Sequence, residues 1–184
     1  MARIESAMLA LGTQAPEFSL PDVVSNKIVD RQSAAGAKGL LVMFICRHCP
    51  FVKHLEKALA QLGRDYDGKG IGIVAIGSND AVNYPDDAPE NLAEQARKLG
   101  FPFAYLYDET QEVARAYDAV CTPDFFLFDK DLKLAYRGQF DESRPGNNVP
   151  ITGKDLRNAM NALLAGEAVH PVQKPSLGCN IKWK

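Results

Sequence analysis

The chain has 184 residues, a length that suits one domain with a sizeable core. Its composition is ordinary for a globular protein, 46% hydrophobic and 24% charged with a formal charge of -2, so nothing in it calls for nucleic-acid binding or a polybasic membrane contact. The longest apolar run is about a third of what a bilayer span needs. Glu5 falls where a signal peptide would begin its apolar stretch, and the expected location is the cytoplasm.

In chain order, residues 12–30 read as a short strand, a turn punctuated by Pro21-Asp22, and a second strand near residues 27–29. A loop rich in small residues follows at 33–38. Residues 39–45, Gly-Leu-Leu-Val-Met-Phe-Ile, have the length and β-branched content of a buried strand. From Phe51 the apolar residues Val52, Leu55, Leu59 and Leu62 recur at helical spacing. A second buried strand is expected over 71–76 and a polar loop over 78–89. A helix then carries Leu92, Ala93, Ala96 and Leu99 and is ended by Gly100. A short strand at 103–106 and a short helix at 110–117 come next. Strands at 125–128 and 132–137 flank the turn Asp129-Lys130-Asp131 as an antiparallel hairpin. A last helix starts at Thr152 and stops at Gly166. Residues 167–184 read as a tail without periodicity. Strand–helix alternation followed by a hairpin and helix implies an α/β sheet with helices on both faces.

Cys46-Arg47-His48-Cys49 falls where the first buried strand hands over to a helix. Unpaired N–H groups and the dipole at a helix N-terminus favour negative charge, and thiolate is the nucleophilic form of cysteine. The pattern predicts a dithiol that cycles with a disulfide: an exposed Cys46 of depressed pKa attacks, and Cys49 one turn inward resolves. Arg47 and His48 would stabilise the thiolate. Stabilising the reduced form makes a pair more oxidising, which sets an expected potential above the roughly -270 mV of thioredoxin. A structural zinc site takes four ligands, and the sequence offers neither a second C-x-x-C nor a spaced histidine pair, so no metal is expected. Four cysteines, at 46, 49, 121 and 179, are too few and scattered for a disulfide-stapled scaffold.

Cys121-Thr122-Pro123 lies just before the hairpin. A proline ahead of a strand that must pair is often cis, and that is the expectation for Thr122–Pro123. Cys121 and Cys179 are possible additional redox residues. Cys179 reads either as a mobile resolving thiol or as an unpaired tail thiol, with Ile181 and Trp183 apolar enough to dock the tail. His54 and Arg137 read as surface residues, and Asp86, Asp87 and Glu90 as a solvated loop and helix start.

These residues carry a resemblance. Gly12-Thr13-Gln14-Ala15-Pro16-Glu17-Phe18-Ser19-Leu20, the strand–C-x-x-C–helix unit, and Thr122-Pro123 before Phe125-Phe126-Leu127-Phe128-Asp129 occur in this order. Together they resemble the thioredoxin superfamily, in its branch of alkyl hydroperoxide reductase/thiol-specific antioxidant (AhpC/TSA) proteins and thiol-disulfide oxidoreductases. The resemblance implies a thioredoxin-like α/β fold: a central mixed sheet flanked by helices, with an N-terminal β-hairpin added. It also implies a cis Pro123 packed against the C-x-x-C, with Thr122 offering its backbone to an extended substrate. The chain departs from peroxiredoxins, since neither Cys46 nor Cys49 follows a Pro-x-x-x-Thr/Ser-x-x pattern. It departs from thioredoxin in having Arg-His between the cysteines and Leu40 where that protein has a buried aspartate. A histidine before the second cysteine resembles protein disulfide isomerase and the periplasmic disulfide-forming oxidases.

The reading is therefore a thioredoxin-like domain over 1–166, with residues 167–184 as a tail packed on it. It acts as a thiol-disulfide oxidoreductase through Cys46 and Cys49, in cell redox homeostasis or antioxidant defence. The disulfide itself carries the electrons, so no organic cofactor is required. Partners would be a protein or small-molecule disulfide and a reductant, with no nucleic acid and no membrane. The alternatives are a thiol peroxidase using the same cysteines, or a non-enzymatic redox-sensing or zinc-binding protein using Cys46, Cys49 and Cys121.

Overall fold

The computed structural model describes residues 3–184. In chain order its elements are β1 (Arg3–Glu5), β2 (Ser19–Pro21), β3 (Ile28–Asp30), α1 (Arg31–Ala34), β4 (Gly39–Phe44), α2 (Pro50–Tyr66), β5 (Ile71–Gly77), a 3-10 turn (Pro85–Asp87), α3 (Pro89–Leu99), β6 (Ala104–Tyr107), α4 (Glu112–Ala116), β7 (Cys121–Thr122), β8 (Asp124–Phe128), β9 (Leu134–Gly138), α5 (Lys154–Leu164) and β10 (Leu177–Asn180).

The main sheet has the order β6-β5-β4-β8-β9. Strands β4, β5 and β6 run parallel, while β8 and β9 pair antiparallel. All six residues of β4 and all five of β8 are buried, as central strands covered on both faces must be. The alternation of β4 divides the core in two. Leu41, Met43 and Ile45 pack with Leu55, Leu59, Leu92, Leu156 and Met160 from α2, α3 and α5. Leu40, Val42 and Phe44 pack on the other face with Val113, Ala114, Tyr117 and Phe126. Each such side chain contributes roughly 1.5–3 kcal/mol by leaving water. This is the mixed sheet flanked by helices that the resemblance implies, and β2 and β3 pair as its added hairpin.

Local chemistry sets several boundaries. The β2–β3 turn is closed by Asp22, whose carboxylate accepts the N–H groups of Val24 and Ser25. Gly100 ends α3 in the left-handed region at φ 64, where a glycine has no Cβ penalty. α5 begins at Lys154 rather than Thr152, because Asp141 draws the N–H groups of Thr152 and Gly153 to its carboxylate at 2.7 Å each.

Two expectations are corrected. Arg31–Ala34, placed partly in a loop by the sequence, forms a single helical turn, held by the reciprocal cap between Asp30 and Ser33. The tail is not without regular structure. Leu177–Asn180 form the middle strand of a second sheet, β1-β10-β7, with Cys179 opposite Arg3 on one side and Thr122 on the other. Among the described residues, no helix is long and apolar enough to cross a membrane.

Candidate active site

Strand β4 ends at Phe44, and the chain turns through Ile45–His48 into α2. Cys49 is the N-cap of α2 and Pro50 its first residue, where a missing N–H costs nothing because first-turn amides lack intrahelical acceptors. The Thr122–Pro123 peptide is cis, as expected, and lays Thr122 against both cysteines. Thr122 Oγ1 is 3.3 Å from Cys46 Sγ, and the Thr122 carbonyl is 3.3 Å from Cys49 Sγ, where it accepts the thiol proton whenever Cys49 carries one.

Both sulfurs are enclosed. Cys46 is 1% exposed and Cys49 0%, which corrects the expectation of an exposed Cys46. Burial pushes the Cys46 thiol well up from its ordinary value, and the negative Asp87 adds to the effect. Cys49 moves the opposite way, down to about 5, chiefly because the Cys46 thiol hydrogen-bonds to it; the Cys179 thiol and the backbone amides of Val52 and Cys179 assist. The two thiols are thus driven apart, Cys46 upward by burial and Cys49 downward at the helix N-terminus, where the dipole favours negative charge.

The third sulfur comes from the tail. Cys179 Sγ lies 2.7 Å from Cys49 Sγ, and its thiol is raised to about 12, first by burial and then by hydrogen bonding and charge at Cys49. Cys121, one residue before Thr122, turns its thiol toward the Pro123 carbonyl at 3.7 Å. Burial and the nearby Asp124 keep that thiol protonated. Asp124 is itself fully buried and is pushed well above the usual carboxylate range by desolvation. It is a buried acid supplied by β8, where only the strand before the C-x-x-C offered a sequence position to look for one.

Arg47 and His48 are each matched by an acid, while a His48 ring nitrogen stays within 4.8 Å of Cys46 Sγ. Arg47 pairs with the exposed Glu94 at 3.1 Å. His48 Nδ1 is hydrogen-bonded to Asp87 Oδ2, and the His48 ring stacks on Tyr84 with 5.7 Å between centroids. Asp87 is the residue that sequence reasoning missed. It is 2% exposed, not part of a solvated loop. Its Oδ1 accepts the backbone N–H groups of Arg47 and His48 at 2.7 and 3.2 Å, and its Oδ2 accepts from His48 and from Asn79 Nδ2 at 2.8 Å. These bonds hold its carboxyl below the usual range against the cost of burial. Nothing in the sequence separates Asp87 from Asp86.

Cys46, His48 and Asp87 have potential ligand atoms within 4.8 Å of one another. A carboxylate has about four acceptor positions, and the four protein donors on Asp87 occupy them, so a metal would have to displace the bonds that shape the loop. His54 bonds Ser143 Oγ at 2.8 Å. Arg137 reaches the Leu9 carbonyl and Gln173, and neither residue enters the site.

The chain is similar over its whole length to an uncharacterized conserved protein from Geobacillus kaustophilus, with 55% identity, 97% of that chain covered and a TM-score of 0.98. A hypothetical protein from Sinorhizobium meliloti 1021 is 46% identical over 98% of each chain, with a TM-score of 0.95. A putative thiol:disulfide interchange protein DsbE from Chlorobium tepidum shares the fold at 22% identity, covering 85% of this chain and 99% of its own with a TM-score of 0.64. No curated protein matches. The AhpC/TSA family matches residues 11–137, which include β4, the C-x-x-C, α2, the cis-proline and most of β9, and the chain belongs to that family.

Proposed function

We propose that the protein is a thiol-disulfide oxidoreductase whose redox couple is Cys46 and Cys49. The observation that carries the reading is the cis Thr122–Pro123 turn set against both sulfurs of the C-x-x-C where β4 hands over to α2, with the Thr122 hydroxyl 3.3 Å from Cys46 Sγ and its carbonyl 3.3 Å from Cys49 Sγ.

Cys46 attacks one sulfur of a substrate disulfide as thiolate, its proton passing to Cys49. The substrate's other sulfur leaves as thiolate. Cys49, whose low pKa lets it shed that proton readily, then attacks Cys46 Sγ in the mixed disulfide. The second substrate thiolate is expelled and a Cys46–Cys49 disulfide forms. Two electrons have moved to the substrate, and an external dithiol returns them. This route gives Cys46 a proton acceptor in the sulfur beside it, with no carboxylate in β4. A thiolate stabilised in the reduced form makes the couple more oxidising than thioredoxin.

Turnover of a small aromatic disulfide with a dithiol reductant tests the reading. The expected result is turnover that Cys46→Ser and Cys49→Ser each abolish. Equal turnover in both variants would overturn it. Hydrogen peroxide consumption dependent on the same cysteines, without disulfide turnover, would replace it with the peroxidase.

A further inference from the structure

The backbone edge of Thr122, which an extended substrate would pair with, is already filled. β10 lies antiparallel on it, with Cys179 opposite Thr122 and Asn180 opposite Cys121. We propose that Cys179 is a third redox residue of this site, exchanging with the Cys46–Cys49 disulfide to give a Cys49–Cys179 disulfide that staples β10 to the start of α2. The proposal rests on the oxidoreductase reading above and adds to it an internal substrate sulfur.

Several independent features hold Cys179 where the exchange needs it. Its sulfur is 2.7 Å from Cys49 Sγ, a separation from which an S–S bond of about 2.05 Å forms with little movement. The preceding residue is glycine, and only glycine fits: a Cβ on Gly178 would stand 1.9 Å from the Thr122 carbonyl oxygen. On one side of Cys179, Ser176 donates its N–H to Ser6 Oγ and its hydroxyl to the Pro123 carbonyl. On the other, Ile181 N–H bonds the Val120 carbonyl, and Lys182 is fixed through Asn79, Asp80 and Gln111. The strand is strapped at both ends, which replaces the picture of a cysteine that swings in on a mobile tail. Cys121 is not an equivalent partner, because its thiol faces the Pro123 carbonyl.

The step balances without any outside oxidant. Cys179 attacks Cys49 Sγ as thiolate, the Cys46–Cys49 bond breaks, and Cys46 leaves as thiolate and takes up the proton that Cys179 gave. One disulfide is exchanged for another. While Cys49 is a thiolate, its charge helps keep the Cys179 proton in place. Once Cys49 is in a disulfide that charge is gone, and the Lys182 ammonium still draws the Cys179 proton off. Cys46 then emerges as the free thiol beside the Thr122 hydroxyl, with the oxidising pair sealed beneath β10.

The test is disulfide mapping after oxidation with excess oxidised glutathione, alkylation of free thiols and tryptic digestion. Arg47 separates Cys46 from Cys49, so trypsin distinguishes the two linkages. In Cys46→Ser, the expected outcome is loss of two thiols with a Cys49–Cys179 cross-link, while Cys121 is alkylated. Wild type should yield both cross-links. A Cys46→Ser protein that shows only Cys49 mixed with glutathione, or three free thiols, overturns the proposal. If wild type meanwhile forms Cys46–Cys49, the oxidoreductase reading survives that failure. A wild type that forms no disulfide at either cysteine fails the reading itself and the proposal with it. Should Cys46→Ser not fold, a wild-type map without the Cys49–Cys179 cross-link also overturns the proposal.

Discussion

Gly178→Ala puts the docking of β10 to a quantitative test. The added methyl would start 1.9 Å from the Thr122 oxygen, 2.6 Å from the Thr122 carbonyl carbon and 3.1 Å from Pro123 N, whereas real Cβ contacts begin at about 3.0 Å. All three atoms are backbone, and Thr122 is fixed between the C-x-x-C and β8, so β10 has to give way. Forcing one methyl into a packed site costs about 1–3 kcal/mol. At roughly 2–4 °C per kcal/mol for a chain of this size, Tm should fall by about 2–12 °C. The retreat also carries Cys179 away from Cys49. Alkylation of Cys49 and Cys179 by a small iodoacetamide reagent in the native protein should therefore accelerate at least several-fold, while Cys121 stays slow. Wild-type Tm together with wild-type alkylation rates would refute the close approach, and with it the argument that glycine is required there.

Three further outcomes follow from the site's electrostatics. Thiolate absorbance should titrate one equivalent with a midpoint near 5, absent in Cys49→Ser; persistence of that midpoint in Cys49→Ser would move the charge to another sulfur. Asp87→Asn should destabilise the protein by about 1–3 kcal/mol in urea at neutral pH, because charge-assisted bonds to two amides and His48 are weakened. Since the carboxyl is held below its unfolded value of 3.8, this advantage of wild type is complete above that pH and shrinks as acid protonates Asp87; a gap that widens on acidification would contradict the assignment. Asp124 has the opposite sign. Its raised pKa makes wild type lose stability as pH rises above about 4, so Asp124→Asn should gain on wild type from pH 4 to 8, and a pH-independent difference would count against a neutral buried acid.

The sequence made the scaffold legible wherever one period dominated. β4 and β5 announce themselves as apolar runs, and α2 by Val52, Leu55, Leu59 and Leu62, all four of them buried. Turn chemistry at Asp22, Gly100 and Asp129 marked where elements stop. The C-x-x-C and the proline before β8 located the site, but not its charge distribution. Arg47 and His48 suggest a cationic neighbourhood, but the acids that pair with them, Glu94 and Asp87, approach from a helix and a turn some 40 residues away. Burial of Asp87 and Asp124 depends on tertiary packing that no local pattern encodes. The tail is different, because its signal was present. Leu177, Cys179, Ile181 and Trp183 alternate with Gly178, Asn180, Lys182 and Lys184, the period of a strand, and the prolines upstream masked it.

The measurement that bears most directly on the central claim is the reduction potential of the dithiol, obtained by equilibrating the protein in glutathione buffers and mapping the linkage at each ratio. The account predicts a single two-electron transition above about -270 mV, with Cys49 in every disulfide that forms. A protein whose Cys46 and Cys49 stay as thiols across the whole range of buffers would contradict it.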